Sequence, residues 1–155
     1  SKEIPNVKII IAGEGDLSSY YRYVEDKYKS KLEIHNEFIP NERVAELFMR
    51  SSLVVLPYTD HTTASGVLTI ALSFGKPMVV TEVGELPTLC SNCALIVPPK
   101  NVEALAKAII KLLKDEELRK ELGRNSLKKA EELSWDNIAK MHMKVYEEVI
   151  AERKQ

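Results

Sequence analysis

The residues best suited to chemistry lie between Pro57 and Val83. An apolar run, Leu53 to Leu56, ends at Pro57 and gives way to a small polar loop. Ser65-Gly66 then open a short apolar helix, which Gly75 stops before a second run, Met78 to Val80. The first turn of a helix carries unpaired N–H groups and a partial positive charge, so a strand that empties into such a turn is a seat for an anion. Ser65 has the right side chain for an N-cap. A cap does not call for glycine next, and Gly in a first turn costs about 0.5–1 kcal/mol relative to Ala. Close approach of a phosphate to the backbone of Ser65, Gly66 and Val67 accounts for that cost. Thr62 and Thr63 stand in the same loop, with His61 and Asp60 read as local loop and turn residues. Gly13-Glu14-Gly15 ends another β-branched run. It is either a tight turn needing positive φ or the edge of a nucleotide cleft, and it is not the longer dinucleotide fingerprint, because Ser18 occupies the third glycine position.

The surrounding elements must position these loops. Val7 to Ala12, Leu32 to Phe38, Leu53 to Leu56, Met78 to Thr81 and Ala94 to Val97 read as five short strands. Helices are expected at Ser18 to Tyr28, after Asn41, and from Gly66. Beyond Pro98-Pro99 the pattern is helical throughout. Val102, Leu105, Ala106, Ile109, Leu112 and Leu113 mark one face, a second stretch runs from about Glu116 to Leu133, and a third follows Ser134-Trp135. In that third stretch Ile138, Met141, Val145 and Val149 share a side, and Trp135 and Tyr146 are assigned to the core. Strands alternating with helices imply an α/β fold with a Rossmann-like parallel sheet of about five strands, helices on both faces and a C-terminal helical extension. In such sheets ligands sit beyond the carboxyl ends of the strands, which makes Gly13–Leu17, Phe38–Glu42 and Pro57–Gly66 the three loops of a binding cleft.

Composition narrows the function. With 155 residues, 45% hydrophobic and 29% charged, the chain is expected to form one soluble domain, residues 1–155, with a strand–helix core at about 4–100 and terminal helices at about 101–152. A net charge of −1, with Lys and Arg interleaved among Glu, argues against nucleic acid as a partner. No apolar run reaches the length of a membrane span, and no signal peptide is read before Ile4, so a cytoplasmic location is expected. A single glutamine and abundant Lys and Glu point to a thermophilic source. Cys90 and Cys93 lie before an apolar run rather than at a helix start, the place of a thioredoxin-type pair. A structural role is the main reading, a disulfide stays open, and no metal cluster is expected, since His35, His61 and His142 are scattered.

Taken together, Ile-Ile-Ile-Ala-Gly-Glu-Gly (9–15), Phe-Ile-Pro-Asn-Glu-Arg-Val-Ala-Glu-Leu-Phe (38–48), Leu-Val-Val-Leu-Pro-Tyr (53–58) and the segment from Ser65 to Gly84 resemble the C-terminal domain of retaining GT-B glycosyltransferases, group 1, family 4 by sequence class. Leu-Ser-Trp-Asp-Asn-Ile-Ala near the C-terminus resembles that family's terminal helices. The resemblance covers nearly the whole chain. It implies a nucleoside-diphosphate sugar as substrate, with no separate cofactor, and an acceptor held by an N-terminal domain outside this chain. It implies that the amides near Ser65, Gly66 and Val67 hold the diphosphate, while Gly13–Gly15 and the backbone at Phe38 and Ile39 flank base and ribose. Association of the full enzyme with the cytoplasmic membrane surface is compatible with it. Two departures stand out. Thr62 and Ile70 occupy positions where the family commonly carries glutamates for the donor sugar and ribose, which leaves the catalytic residue unassigned. The family's first strand and helix, with their phosphate-binding Arg and Lys, precede the sequence matched here. Closing up the remaining strands would give the order 2-1-3-4-5. The rivals are a non-catalytic flavodoxin-like binding module and a nucleotide-sugar epimerase; the Ser-Gly-Val turn favours the transferase.

Overall fold

The computed structural model describes residues 4–17, 24, 26–60 and 65–153. The chain divides into two compact units, residues 1–50 and 51–155.

In the first unit β1 (Ile9–Ala12) pairs in parallel with β2 (Leu32–His35), Ile9 opposite Leu32 and Ala12 opposite His35. A short α1 (Asp26–Lys29) precedes β2, and α2 (Asn41–Arg50) follows it. The helix expected over Ser18 to Tyr28 lies largely outside the described residues. β2 stops at His35 rather than Phe38, because Asn36 and Glu37 turn outward and Phe38 is 73% exposed.

The second unit holds β3 (Val54–Leu56), β4 (Met78–Thr81) and β5 (Ala94–Val97), parallel in the order 3-4-5. Met78 to Val80 are fully buried, as expected of a central parallel strand covered on both faces. Between the strands run α3 (Gly66–Ser73) and a short α4 (Leu86–Cys90). After them come α5 (Val102–Lys114), α6 (Glu116–Glu132) and α7 (Trp135–Glu152). Side chains of Asn101, Asp115 and Ser134 cap α5, α6 and α7 by accepting from Ala104, Leu118 and Asn137. Val79, Val97, Ala108, Leu112 and Leu122 form one core cluster that welds α5 and α6 to the sheet.

Gly75 ends α3 at φ 60°, with its own N–H donating to Leu72 and that of Lys76 to Ala71. This is the Schellman arrangement, which favours glycine at that position. The same corner admits α6 closely: a Cβ on Gly123 would stand 2.7 Å from the carbonyl oxygen of Gly75. Ser126 of α6 then donates to the Lys76 carbonyl at 2.7 Å.

Four expectations need correction. The single sheet ordered 2-1-3-4-5 is not what the ladders form: the described strands make a two-stranded sheet, β1-β2, and a three-stranded one, β3-β4-β5. No ladder joins β1 to β3 among the described residues. Glu85-Leu86-Pro87, which by sequence reads as a plain connection between the fourth and fifth strands, is the start of α4, with Pro87 in its first turn, where a missing N–H is harmless. On α5 the buried face runs through Ala108 and Leu112, while Val102 is 78% exposed and Ala106 is also exposed. Trp135 and Tyr146 are surface residues, 88% and 59% exposed, and Met141, Val145 and Val149 are exposed with them.

Candidate nucleotide-sugar site

The loop after β3 leads into α3, and its geometry rests on three hydroxyls. Thr81, the last residue of β4, is buried and donates to the carbonyl of Tyr58 at 2.7 Å, which ties the loop to the neighbouring strand. The Tyr58 hydroxyl lies 2.9 Å from Ser65 Oγ. Ser65 Oγ in turn accepts from the Leu68 amide at 3.2 Å, with the Ser65 backbone extended (φ −85°, ψ 114°) as an N-cap requires. The Ser65 carbonyl accepts the amide of Thr69. Of the first-turn donors, those of Leu68 and Thr69 are thus used inside the helix. Among the described residues nothing accepts from the N–H groups of Gly66 and Val67.

These two residues are on the surface, Val67 45% exposed. A Cβ built on Gly66 would meet nothing within 4 Å, so space on its side-chain face is open. Two adjacent unpaired N–H groups at a helix start, with the partial positive charge of that end, favour an anion. Ile70 is half-buried on the next turn. Glu82 and Glu85, after β4, are exposed on the same unit. His61, Thr62 and Thr63 lie outside the described residues.

In the first unit the ends of β1 and β2 do come together. Gly13 donates to the His35 carbonyl at 3.0 Å, and the Gly15 amide donates to Asn36 Oδ1 at 3.0 Å. Gly13 has φ 136°, which bears out the tight-turn reading for that residue. Glu14 is exposed, Phe38 projects into solvent and Ile39 is half-buried on the same rim. Below it, Arg43 donates to His35 Nδ1 at 2.9 Å. The imidazole proton therefore sits on Nε2, which donates to Glu33 at 2.9 Å. Arg50 also donates to Glu33, at 2.8 Å, and with His35 it holds that carboxyl down to about 2.

Sequence reasoning missed Asn36, Tyr58 and Thr81. An Asn just past a strand end is a signal that could have been used, since its side chain readily bonds nearby backbone. The two hydroxyl contacts span 23 and 7 residues and leave no local trace. Among the described residues no three of His, Cys, Asp and Glu are grouped to hold a metal ion.

Residues 1–115 match the family described as Glycosyl transferases group 1, and the chain belongs to that family. Over 149 residues it is 30% identical to an uncharacterised glycosyltransferase of Methanocaldococcus jannaschii, covering 91% of this chain and 37% of that protein. The O-antigen chain mannosyltransferase B of Escherichia coli is 26% identical over 109 residues, 70% of this chain and 28% of the relative. Among solved structures, sucrose-phosphate synthase from Thermosynechococcus elongatus superimposes with a TM-score of 0.76 at 23% identity, over 96% of this chain and 40% of the other. Anabaena HepE, solved in complex with UDP, gives 0.74 at 16% identity, over 96% and 42%. These structural likenesses establish the α/β fold. The chain spans well under half the length of the relatives it matches.

Proposed function

We propose that this chain is the donor-binding domain of a retaining GT-B glycosyltransferase, which moves a sugar from a nucleoside diphosphate to an acceptor held elsewhere in the enzyme. The observation that carries the reading is the pair of amides at Gly66 and Val67, unpaired among the described residues and placed by the Ser65 cap at the start of α3. As the sugar leaves, negative charge builds on the diphosphate, and main-chain donors already aimed at it stabilise that charge without reorganisation. The domain's share of catalysis is positioning and charge stabilisation. The rim of β1 and β2, with Gly13, Glu14, Gly15, Phe38 and Ile39, serves the base and ribose; Thr62 and Thr63 serve the donor sugar. The donor is consumed as a substrate, in a cytoplasmic enzyme without a resident cofactor. The relatives named as glycosyltransferases and the UDP complex of a fold neighbour support this reading.

Calorimetric titration with UDP, GDP and their sugars tests it. The expected result is binding that Ser65→Asp weakens by about tenfold or more, ~1.4 kcal/mol. Asp caps a helix as well as Ser does, so the fold is kept while a charge faces the phosphate. Equal binding by both proteins, or none by either, would favour a non-catalytic interaction module instead.

A further inference from the structure

The geometry points to Cys93 as an oxidation site for a small hydroperoxide, with Cys90 as the thiol that resolves it to a disulfide. Cys90 is the last residue of α4 and Cys93 immediately precedes β5. The Cys93 amide donates to the Cys90 carbonyl at 3.0 Å, closing a four-residue turn. Such a turn holds its first and last Cα within about 7 Å, close to the ~4.4–6.8 Å that a disulfide spans. Asn125 of α6 donates to the Asn92 carbonyl at 2.8 Å and pins the turn. Both cysteines are free thiols, and the Cys93 thiol donates to the Leu89 carbonyl one turn back, at 3.9 Å.

Their surroundings differ in the way such a pair needs. Both side chains are buried, but Cys93 and not Cys90 borders a surface pocket of about 100 Å³, whose rim carries Lys128 and the Lys129–Glu132 ion pair. That volume is several times the ~10–15 Å³ one water needs, so a hydroperoxide enters. With Cys93 only 2% exposed, bulky oxidants are kept out. The neighbouring Cys90 thiol, then the Lys129 charge, lower the Cys93 thiol against the opposing effect of burial. The Cys93 thiol beside it and burial push Cys90 up, keeping it protonated until it is called on.

The chemistry balances. The Cys93 thiolate attacks one peroxide oxygen, the O–O bond breaks, and hydroxide (or alkoxide) leaves and takes up a proton, giving the sulfenic acid. Cys90 sulfur then attacks Cys93 sulfur, the S–O bond breaks, and water leaves with the Cys90 proton. Two thiols lose two electrons and the peroxide gains them. The disulfide staples the end of α4 to the start of β5.

Folded protein treated with hydrogen peroxide, alkylated after unfolding and mapped by mass spectrometry, tests the assignment. The expected product is an intramolecular Cys90–Cys93 disulfide in the monomer, ~2 Da lighter and reversed by dithiothreitol. In Cys90→Ser a Cys93 sulfenic acid should be trapped by dimedone. In Cys93→Ser the Cys90 thiol should oxidise about tenfold more slowly. Recovery of two free thiols from peroxide-treated wild type, under a dose that oxidises the unfolded chain, would overturn the assignment, as would faster oxidation at Cys90. The wild-type map decides even if a variant fails to fold.

Discussion

The hydroxyls of Tyr58 and Ser65 stand 2.9 Å apart, and Ser65 Oγ also accepts the Leu68 amide at 3.2 Å. The side chain of Ser65 is thereby occupied in shaping the loop and starting the helix. What the turn offers a ligand is backbone, at Gly66 and Val67. Ser65→Ala should therefore cost about 1 kcal/mol of stability through the lost cap. It should change diphosphate affinity by less than about threefold, ~0.7 kcal/mol. Urea denaturation and calorimetry on the same variant separate the two effects.

Gly123 faces the Gly75 carbonyl where α6 crosses the end of α3. A methyl group there would sit 2.7 Å from a backbone oxygen that cannot move without breaking the Schellman turn. Gly123→Ala should destabilise the chain by about 1–3 kcal/mol, even though alanine raises helix propensity by up to ~1 kcal/mol. Stabilisation by this substitution, measured by chemical denaturation, would mean the two helices do not pack this closely.

Arg50 and His35 hold Glu33 down to about 2 from an ordinary 4.5. A carboxyl lowered in the folded state contributes stability that is present above its unfolded value and lost as pH falls toward the folded one. The contribution should accordingly fade between about pH 4.5 and 2. NMR titration of the Glu33 carboxyl should give a midpoint well below that of free glutamate, and Arg50→Ala should raise it. Because the group lies at the surface, added salt should narrow the difference.

Trp135 is the only tryptophan and lies 88% exposed at the first turn of α7. Its fluorescence should be quenched by acrylamide almost as readily as that of the unfolded chain. Trp135→Ala should change stability by no more than about 0.5 kcal/mol, the usual range for surface positions. A shielded tryptophan would show that something covers α7.

The sequence was most informative where its signals were local. β4 and β5 begin and end where their apolar runs do, and α6 matches its expected span to within a residue. The Ser65 cap and the Gly75 stop were legible because each is a residue type demanded by one backbone conformation. Other features were hidden for definable reasons. Pro87 reads as a breaker, yet in the first turn of α4 it breaks nothing. Helical periodicity shows which side of α7 is apolar; it does not show whether anything packs on that side, and there Met141, Val145 and Tyr146 are open. Strand order depended on a neighbour for β1 and β3, and pairing partners far along the chain leave no periodic mark. The hydroxyl chain from Thr81 through Tyr58 to Ser65 is invisible for the same reason.

Residue-resolved NMR of the amide groups during titration with UDP and GDP tests the central claim most directly. The N–H signals of Gly66 and Val67 should move farthest within residues 51–155, and Ser65→Asp should raise the ligand concentration those shifts require by about tenfold or more while leaving the rest of the spectrum folded. Saturable binding that leaves those two amides unmoved would contradict the account, because the diphosphate would then be held somewhere other than the start of α3.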